Sequence, residues 1–349
     1  MMPQALHPRT PTLLFREAAE AAQAVRVATI RNRAALAELS ARLRAQPPRV
    51  VVTCARGSSD HAATYAKYLI ETRTGCIVAS AAPSICSVYS TRMQWQGALF
   101  LAISQSGKSP DLLAAAKAAR AGGALVVSLV NVEDSPLAGA SDYVLALSAG
   151  SEQSVAASKS FIAALAAILQ LVAAWTQDPE LKQASNALPD LLEQAWALDW
   201  QSAEQALQQA SHLFVLGRGL GLAIAQEAAL KCKETSGLHA EAFSGAEVQH
   251  GPQALLNANF PALLLVQEDE TEVGMHDLAQ SLLNRGVRVL MAARRVPPGA
   301  IALPAISADP AIQPILLAQS FYRMINGLSL NRGFNPDQPP HLRKVTETH

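Results

Sequence analysis

The chain has 349 residues, of which 50% are apolar and 16% are charged, and its basic and acidic residues cancel to a formal net charge of zero. This composition excludes a disordered chain and supplies a large core, on a length that suits two domains. Zero net charge without a block of like charges also argues against nucleic acid as a partner, because proteins that bind it carry a basic surface.

Targeting and membrane signals are not visible in the sequence. The first four residues, Met1 to Gln4, do not form a basic start followed by an apolar stretch, so no signal peptide is predicted. The longest apolar run, residues 161–175, is shorter than a membrane-spanning helix and is predicted to be a buried helix. The four cysteines have neither CxxC nor metal-site spacing, which favours a reducing compartment. We therefore predict a cytoplasmic protein without a membrane partner or a bound metal.

The first half of the chain alternates apolar runs with helical patterns. An Ala-rich amphipathic segment, residues 13–44, predicts helix, and patterns at 60–71 and 110–121 predict two more helices. Continuous apolar runs predict strands at 49–55, 76–80, 98–104, 124–130 and 143–147. Strands that are apolar along their whole length and separated by helices indicate a parallel sheet covered on both faces.

The same alternation begins again after a polar helical linker at 178–210. It predicts strands at 212–217, 262–266 and 287–292, and helices at 220–236, 272–283 and 312–330. The predicted fold class is α/β, with two tandem doubly wound parallel-sheet domains of flavodoxin-like type and helices on both faces; a single large sheet is the alternative. The predicted divisions are an N-terminal helical segment (1–45), a first domain (46–190), a second domain (191–334) and a C-terminal tail (335–349).

Two loops of the first half are candidate phosphate sites. Ligands of open α/β sheets bind beyond the carboxyl ends of the strands, where amides at helix starts point outward. One loop, Gly57-Ser58-Ser59, follows the first strand. The other offers several hydroxyl groups before the helix that opens at Pro110, and its residues are Ser104-Gln105-Ser106-Gly107-Lys108-Ser109. Neither matches a P-loop. The alternative for Ser109 is that it only caps the helix.

Candidate acid–base groups lie in the second half. Glu227, Lys231 and Glu234 have spacings of four and three on a predicted helix, so they share one face. A carboxylate beside an ammonium can act as a general base on a proton next to a carbonyl, whereas the alternative is an exposed salt bridge. Further along, His250 precedes Gly-Pro on a predicted turn from which it could reach a cleft. By composition alone, the Pro-rich tail is predicted to be frayed.

Taken in order, these motifs resemble the sugar isomerase (SIS) family, and most closely the isomerase half of glutamine–fructose-6-phosphate aminotransferase. Each motif is weak alone, but the ordered set is specific and covers nearly all of the chain beyond residue 50. The matching stretches are Ala55-Arg-Gly-Ser-Ser59, Ile103-Ser-Gln-Ser-Gly107, Val155-Ala-Ala-Ser-Lys-Ser-Phe161, Leu216-Gly-Arg-Gly219, Ala229-Leu-Lys-Cys-Lys-Glu234, His239-Ala-Glu-Ala-Phe243, His250-Gly-Pro252 and Asn335-Pro-Asp-Gln-Pro339 with Lys344.

The resemblance implies a role for each matching residue. Glu234 would shuttle a proton between carbons 1 and 2, with Lys231 beside it. His250 would open the sugar ring from the neighbouring subunit, so a homodimer with shared active sites is implied. Lys344 would form a Schiff base with the open-chain ketose, which replaces the expectation of a frayed tail. The implied substrate-binding residues are Ser58, Ser59, Ser104, Gln105, Ser106, Ser109, Val155 and Ser158.

The chain departs from the related synthase in ways that predict a different reaction. No glutaminase domain is visible and the first cysteine is Cys54, so no glutaminase activity is expected. Lys108-Ser109 stands where the synthase has an acid and a threonine, and Ala157 stands at a hydroxyl position of its sugar site. The motifs resemble those of stand-alone amino-sugar phosphate deaminases of this family. This predicts conversion of glucosamine 6-phosphate to fructose 6-phosphate and ammonia, with no metal or redox cofactor.

Other functions stay open at this stage. The same residues would suit a galactosamine-phosphate deaminase, a fructosamine-phosphate deglycase or a ketose/aldose isomerase. A non-catalytic sugar-phosphate sensor is the alternative from another class.

Overall fold

A computed structural model describes residues 11–89 and 91–344, and its first half contains a five-stranded sheet. All neighbouring strands are parallel, and their order is β2-β1-β3-β4-β5. This is the flavodoxin-like order, with its switch point between the first and third strands. The strands are β1 (Val50–Cys54), β2 (Val78–Ser80), β3 (Ala98–Ser104), β4 (Leu125–Val130) and β5 (Tyr143–Ala146).

The second half contains another five-stranded parallel sheet with the order β10-β9-β8-β6-β7. Counted from its own first strand, this order is the same as that of the first sheet. The tandem flavodoxin-like prediction is therefore confirmed, and the single-sheet alternative is wrong. The strands are β6 (His212–Gly217), β7 (His239–Ser244), β8 (Ala262–Leu265), β9 (Val289–Ala292) and β10 (Ile301–Leu303).

Helices cover both sheets and also fill the space between them. A single buried apolar cluster contains residues from both halves, so the two sheets share one core. The helices are α1 (Leu13–Ala19), α2 (Ala21–Arg31), α3 (Arg33–Ala45), α4 (Ser58–Thr74), α5 (Ser84–Ser87), α6 (Pro110–Ala121), α7 (Pro136–Gly139), α8 (Lys159–Thr176), α9 (Pro179–Ala197), α10 (Gln201–Leu207), α11 (Gly221–Ser236), α12 (Glu272–Asn284) and α13 (Gln313–Asn331).

The predicted N-terminal helix is broken into three helices, α1 to α3. One break falls at Asn32, whose side-chain amide donates to the carbonyl of Ala146 and accepts from its N–H, each at 2.8 Å. A buried amide that pairs with the end of β5 therefore fixes the chain direction at this point. The first ten residues of the predicted segment lie outside the described residues.

The polar stretch at 178–210 is helical, as predicted, but it packs into the fold and does not serve only as a linker. It forms α9 and α10, and α9 packs against α2, α8 and α13. The predicted division between residues 190 and 191 consequently falls inside α9. Its polar residues are simply those on the face that stays in solvent.

The most apolar helix, α8, lies in the core. It alone among the described residues has the length and hydropathy of a membrane span, but 89% of that window is buried inside the fold. Neighbouring helices α2, α3, α4 and α9 surround it. It is therefore a core helix, as the sequence predicted for residues 161–175.

The helices that follow the first strand of each sheet meet between the two halves. These are α4 and α11, and they pack directly against each other. Residues at the start of α4 are thereby brought to the polar face of α11, close to the switch point of the first sheet.

Candidate functional site

A cavity of about 390 Å³ opens at the carboxyl end of the first sheet, against α11 and the C-terminal tail. Its volume lies in the range of small-molecule sites, and a parallel sheet of this order places such sites at its switch point. It is lined by Arg56, Gly57, Ser58, Ser59, Ile103, Ser104, Gln105, Ser106, Ser109, Leu112, Leu147, Val155, Ala157, Ser160, Phe161, Lys231, Glu234, Leu342, Arg343 and Lys344.

The loop after β3 is folded tightly beneath this cavity. Gly107 has a φ of +63°, and a side chain there would meet the Ser135 hydroxyl, so the turn requires glycine. The Ser104 hydroxyl accepts from the Gly107 N–H at 3.0 Å, and Ser106 accepts from the Lys108 N–H at 3.4 Å. Because each hydroxyl accepts from the loop itself, its own hydrogen stays available for a ligand.

Ser109 occupies the N-cap position of α6, ahead of Pro110, but its side chain makes no capping hydrogen bond. The interpretation that Ser109 merely caps the helix is therefore wrong. Its hydroxyl instead lines the cavity at the amino end of α6. An anion bound there would meet both the hydroxyl and the positive end of the helix dipole.

A cation that the sequence prediction did not single out also lines the cavity. The guanidinium of Arg56 pairs with the Asp111 carboxylate at 2.7 Å, while half of the arginine side chain (51%) stays exposed. Asp111 lies in the first turn of α6 and is nearly fully buried. Arg56 is therefore held beside the serine loop, where its remaining N–H groups can reach a phosphate.

The predicted acid–base residues share one face of α11 as expected. The Lys231 ammonium donates to Glu234 at 2.6 Å and lies 3.4 Å from Glu227. Burial would lower the pKa of Lys231, but the two carboxylates outweigh burial and raise it, so the residue remains an ammonium. Its side chain is only 1% exposed, so the alternative of an exposed salt bridge is wrong. Lys231 and Glu234 both line the cavity.

Glu227 points away from the cavity into a buried network. Its carboxylate accepts from the Ser58 hydroxyl at 3.1 Å and the Tyr322 hydroxyl at 2.9 Å, and His61 Nδ1 lies 2.9 Å away. Although burial would raise its pKa, Lys231 and His61 lower the pKa of Glu227 to about 2. The network joins α4 of the first half to α11 and α13 of the second, and it orients Ser58 and Lys231 in the cavity wall.

The C-terminal tail is held against the body of the protein at two points. Asp337 accepts from the backbone N–H groups of Leu13 and Leu14, at 2.7 and 2.8 Å. Lys344 donates to the Ser154 carbonyl at 2.7 Å and to the Glu152 carboxylate at 3.1 Å. The expectation of a frayed tail was wrong as far as Lys344, and residues 345–349 lie outside the described residues.

Two predicted site residues are not in the cavity wall. Ser158 is fully buried, and its backbone N–H donates to Glu152. Ser160, two residues further along at the start of α8, lines the cavity instead. His250 is exposed at the end of a 3-10 turn, Glu247–His250, after the edge strand β7. Within the described chain it does not reach the cavity. Val155 does line it.

Comparison with known proteins gives related sequences and folds. The chain is 32% identical over 302 residues to the glutamine–fructose-6-phosphate aminotransferase of Sulfurisphaera tokodaii, covering 84% of this chain and 49% of that protein. It thus spans about half the length of that relative. A protein of Silicibacter pomeroyi DSS-3, provisionally named a phosphosugar isomerase, has 40% identity and a TM-score of 0.90, covering 94% of this chain and 100% of the other.

The similarity to a third protein supports a shared fold only. The glucosamine-6-phosphate deaminase of Thermotoga maritima has 21% identity and a TM-score of 0.77, and the match covers 97% of this chain and 100% of that one. The SIS domain profile matches residues 45–174 and 206–293, which is more than half of the chain and includes both sheets except β10. The chain therefore belongs to the SIS domain family.

Proposed function

We propose that this protein is a phosphosugar enzyme that isomerises and deaminates glucosamine 6-phosphate, giving fructose 6-phosphate and ammonia. One observation carries the proposal: the serine loop, the Lys231–Glu234 pair and the tail lysine Lys344 all line one cavity. A phosphate anchor and a carboxylate base that line the same cavity suit a substrate with phosphate at one end and a reacting carbon at the other.

The phosphate would lie at the amino end of α6. Hydroxyl donors and the exposed part of Arg56 supply charge-assisted hydrogen bonds to a dianion there. The proposed contacts are Ser59, Ser104, Gln105, Ser106 and Ser109, all in the cavity wall. Val155 would contact the sugar, and Ser58 would be oriented by Glu227.

The reaction then follows from the Glu234 carboxylate in the cavity wall. Glu234 removes the proton from carbon 2 of the open-chain amino-aldose and returns it to carbon 1, which leaves an imine at carbon 2. Water hydrolyses this imine, releasing ammonia and the ketose. The substrate's own carbonyl and nitrogen delocalise the developing charge, so the proposed chemistry needs no cofactor. Lys231, as an ammonium, donates to Glu234 at 2.6 Å and thereby orients the carboxylate in the cavity wall.

His250 would act from a second copy of the chain. It is exposed on the edge-strand side of the second sheet and does not reach the cavity of its own chain. A homodimer with shared active sites would bring it to the partner's cavity for ring opening. A cytoplasmic location is part of the same proposal.

Incubation with three candidate substrates tests the reaction. We expect the purified protein to release ammonia and a ketose phosphate from glucosamine 6-phosphate faster than from galactosamine 6-phosphate or fructosamine 6-phosphate. Preferred turnover of another sugar would reassign the substrate. Binding of all three without turnover would support a sensor and contradict the proposal.

Replacement of Ser109 by alanine tests the phosphate anchor. We expect KM for glucosamine 6-phosphate to rise about tenfold, because a hydrogen bond to a charged group contributes on the order of 1.5–3 kcal/mol. The free energy of unfolding should change by less than about 0.5 kcal/mol, because the hydroxyl caps nothing. Kinetics and urea unfolding measure the two effects.

Thr12 provides the matched control. It caps α1 by accepting from the Phe15 N–H and also donates to Asn326, and neither residue lines the cavity. Thr12→Ala should therefore lower stability by about 1 kcal/mol without changing KM. An unchanged KM in Ser109→Ala would remove Ser109 from the phosphate site.

A further inference from the structure

The loop between β5 and α8 contains a buried carboxylate to which neither the sequence prediction nor the proposed reaction assigns a role. The Glu152 side chain is fully buried. Its carboxylate accepts from the backbone N–H groups of Ser158 and Ser160, at 3.0 and 3.1 Å, and from the Ser160 hydroxyl at 2.6 Å. These three donors surround it at the amino end of the 18-residue helix α8, so the group is firmly held as an anion.

The fourth partner of this carboxylate comes from the other end of the chain. Lys344 Nζ lies 3.1 Å from Glu152 Oε2, although the two residues are 192 positions apart. Burial alone would raise the pKa of Glu152, but the Lys344 ammonium and the bonds from Ser160 and Ser158 hold it below its usual value. The carboxylate therefore remains charged at neutral pH, and Lys344 provides its counter-ion.

We propose that Glu152 is the positioning residue of the C-terminal tail: it docks Lys344 in the cavity wall and thereby closes the cavity with Leu342 and Arg343. Three of its four hydrogen bonds come from the start of α8 and do not involve the tail. The acceptor is therefore already in place when the tail approaches. Lys344 also donates to the Ser154 carbonyl of the same loop, which leaves one N–H of the ammonium for a ligand.

Among the described hydrogen bonds and ion pairs, only those of Lys344 with Glu152 and the Ser154 carbonyl hold this end of the tail, and Glu152 is the only charged partner. The other anchor, Asp337, lies seven positions earlier in the tail and bonds to the first residues of α1. The residues between Asp337 and Lys344 are mostly exposed. Loss of the Glu152 contact should therefore release the segment that carries Leu342 to Lys344, while the rest of the tail stays bound.

The test combines tail proteolysis with kinetics, using Glu152→Gln. Trypsin cleavage after Arg343, followed by intact mass spectrometry, should be at least about tenfold faster in the variant, because the docked tail must open before cleavage. With glucosamine 6-phosphate, kcat should fall at least about tenfold while KM changes less than about threefold, because the phosphate anchor is untouched. The kinetic arm rests on the proposed function, whereas the proteolysis arm does not.

Glu17, in α1, provides a matched control because its carboxylate binds the same loop between β5 and α8. Its buried carboxylate accepts from the N–H groups of Gln153 and Ser154 but forms neither a hydrogen bond nor an ion pair with Lys344. Glu17→Gln should therefore leave tail cleavage and kcat within about twofold of wild type. If it reproduces the effects of Glu152→Gln, loop order rather than tail docking is responsible and the proposal is wrong. Cleavage of the tail at the wild-type rate in Glu152→Gln would also overturn the proposal.

A second variant keeps the proposal testable if Glu152→Gln does not fold. Lys344→Met would leave the buried Glu152 without its counter-ion, so Tm at pH 7 should fall by at least about 3 °C. A lysine near the chain end without a buried partner would leave Tm unchanged, and that result would contradict the proposal. Where both variants fold, the double variant should be no slower than Lys344→Met alone, because the two residues act as one unit.

Discussion

Replacement of Glu234 by glutamine is expected to lower kcat for glucosamine 6-phosphate about a thousandfold, with KM within about threefold of wild type. General acid–base groups contribute roughly 10²–10⁴ to rate, and an amide cannot accept the carbon-2 proton. Glutamine keeps the size of the side chain and can still accept a hydrogen bond from Lys231. Exchange of the carbon-2 proton with solvent deuterium, followed by NMR, should disappear in the variant.

The control for this experiment is an exposed glutamate that does not line the cavity. Glu180, in the first turn of α9, is exposed and does not line the cavity. Glu180→Gln should therefore keep kcat and proton exchange within about twofold of wild type. Exchange at the wild-type rate in Glu234→Gln would exclude Glu234 as the base.

The duplicated fold contains two switch points, and the side chains differ between them. In the second sheet, the loop after β8 holds Asp269, whose carboxylate accepts from the N–H and hydroxyl of Thr271 and from the Gln267 amide. The hydrogen-bond donors that could bind an anionic ligand in this loop are therefore already paired with the Asp269 carboxylate. The corresponding loop of the first sheet carries serines instead. This difference supports phosphate binding in the first half only.

Strand and helix positions follow from the sequence where apolar runs and turn residues agree. The strand predicted at 98–104 and the helix predicted at 110–121 are both observed with those limits, because a fully buried strand is followed by a proline at the first helical position. Two strands were missed. The first, β7, is an edge strand with alternating polar residues, and the other, β10, has only three residues. Neither contains the continuous apolar run that identified the others.

The candidate site was predicted only where its residues form local motifs. The loop serines and the Lys231–Glu234 pair could be found from strand ends and helical spacing. Glu152 could not, because its contact with Lys344 exists only when the tail returns to a loop 192 residues away. Ser158 was assigned from its motif, yet the start of α8 turns it inward and leaves Ser160 in the wall.

Glu227→Gln is expected to lower the free energy of unfolding by about 3 kcal/mol at pH 7, more than the other glutamate variants described above. The charge of Glu227 is buried among Lys231, His61 and Tyr322, and its pKa is about 2 in the folded protein against an ordinary value of 4.5. A difference of this size corresponds to roughly 3 kcal/mol of preference for the folded state. Since the network joins the two halves, the packing of α4 against α11 should also become less stable in this variant.

The pH dependence distinguishes this charge effect from a simple packing defect. Because the folded pKa of Glu227 is lowered, its contribution is complete above about pH 4.5 and is lost as the pH falls toward 2. The gap in unfolding free energy between wild type and Glu227→Gln should therefore be constant above pH 5 and shrink by pH 3, as measured by urea unfolding. Glu234→Gln removes the other, partly exposed partner of Lys231 and should cost less than about 1 kcal/mol. A gap that did not change with pH would mean that shape and hydrogen bonding, and not the Glu227 charge, stabilise the junction between the two halves.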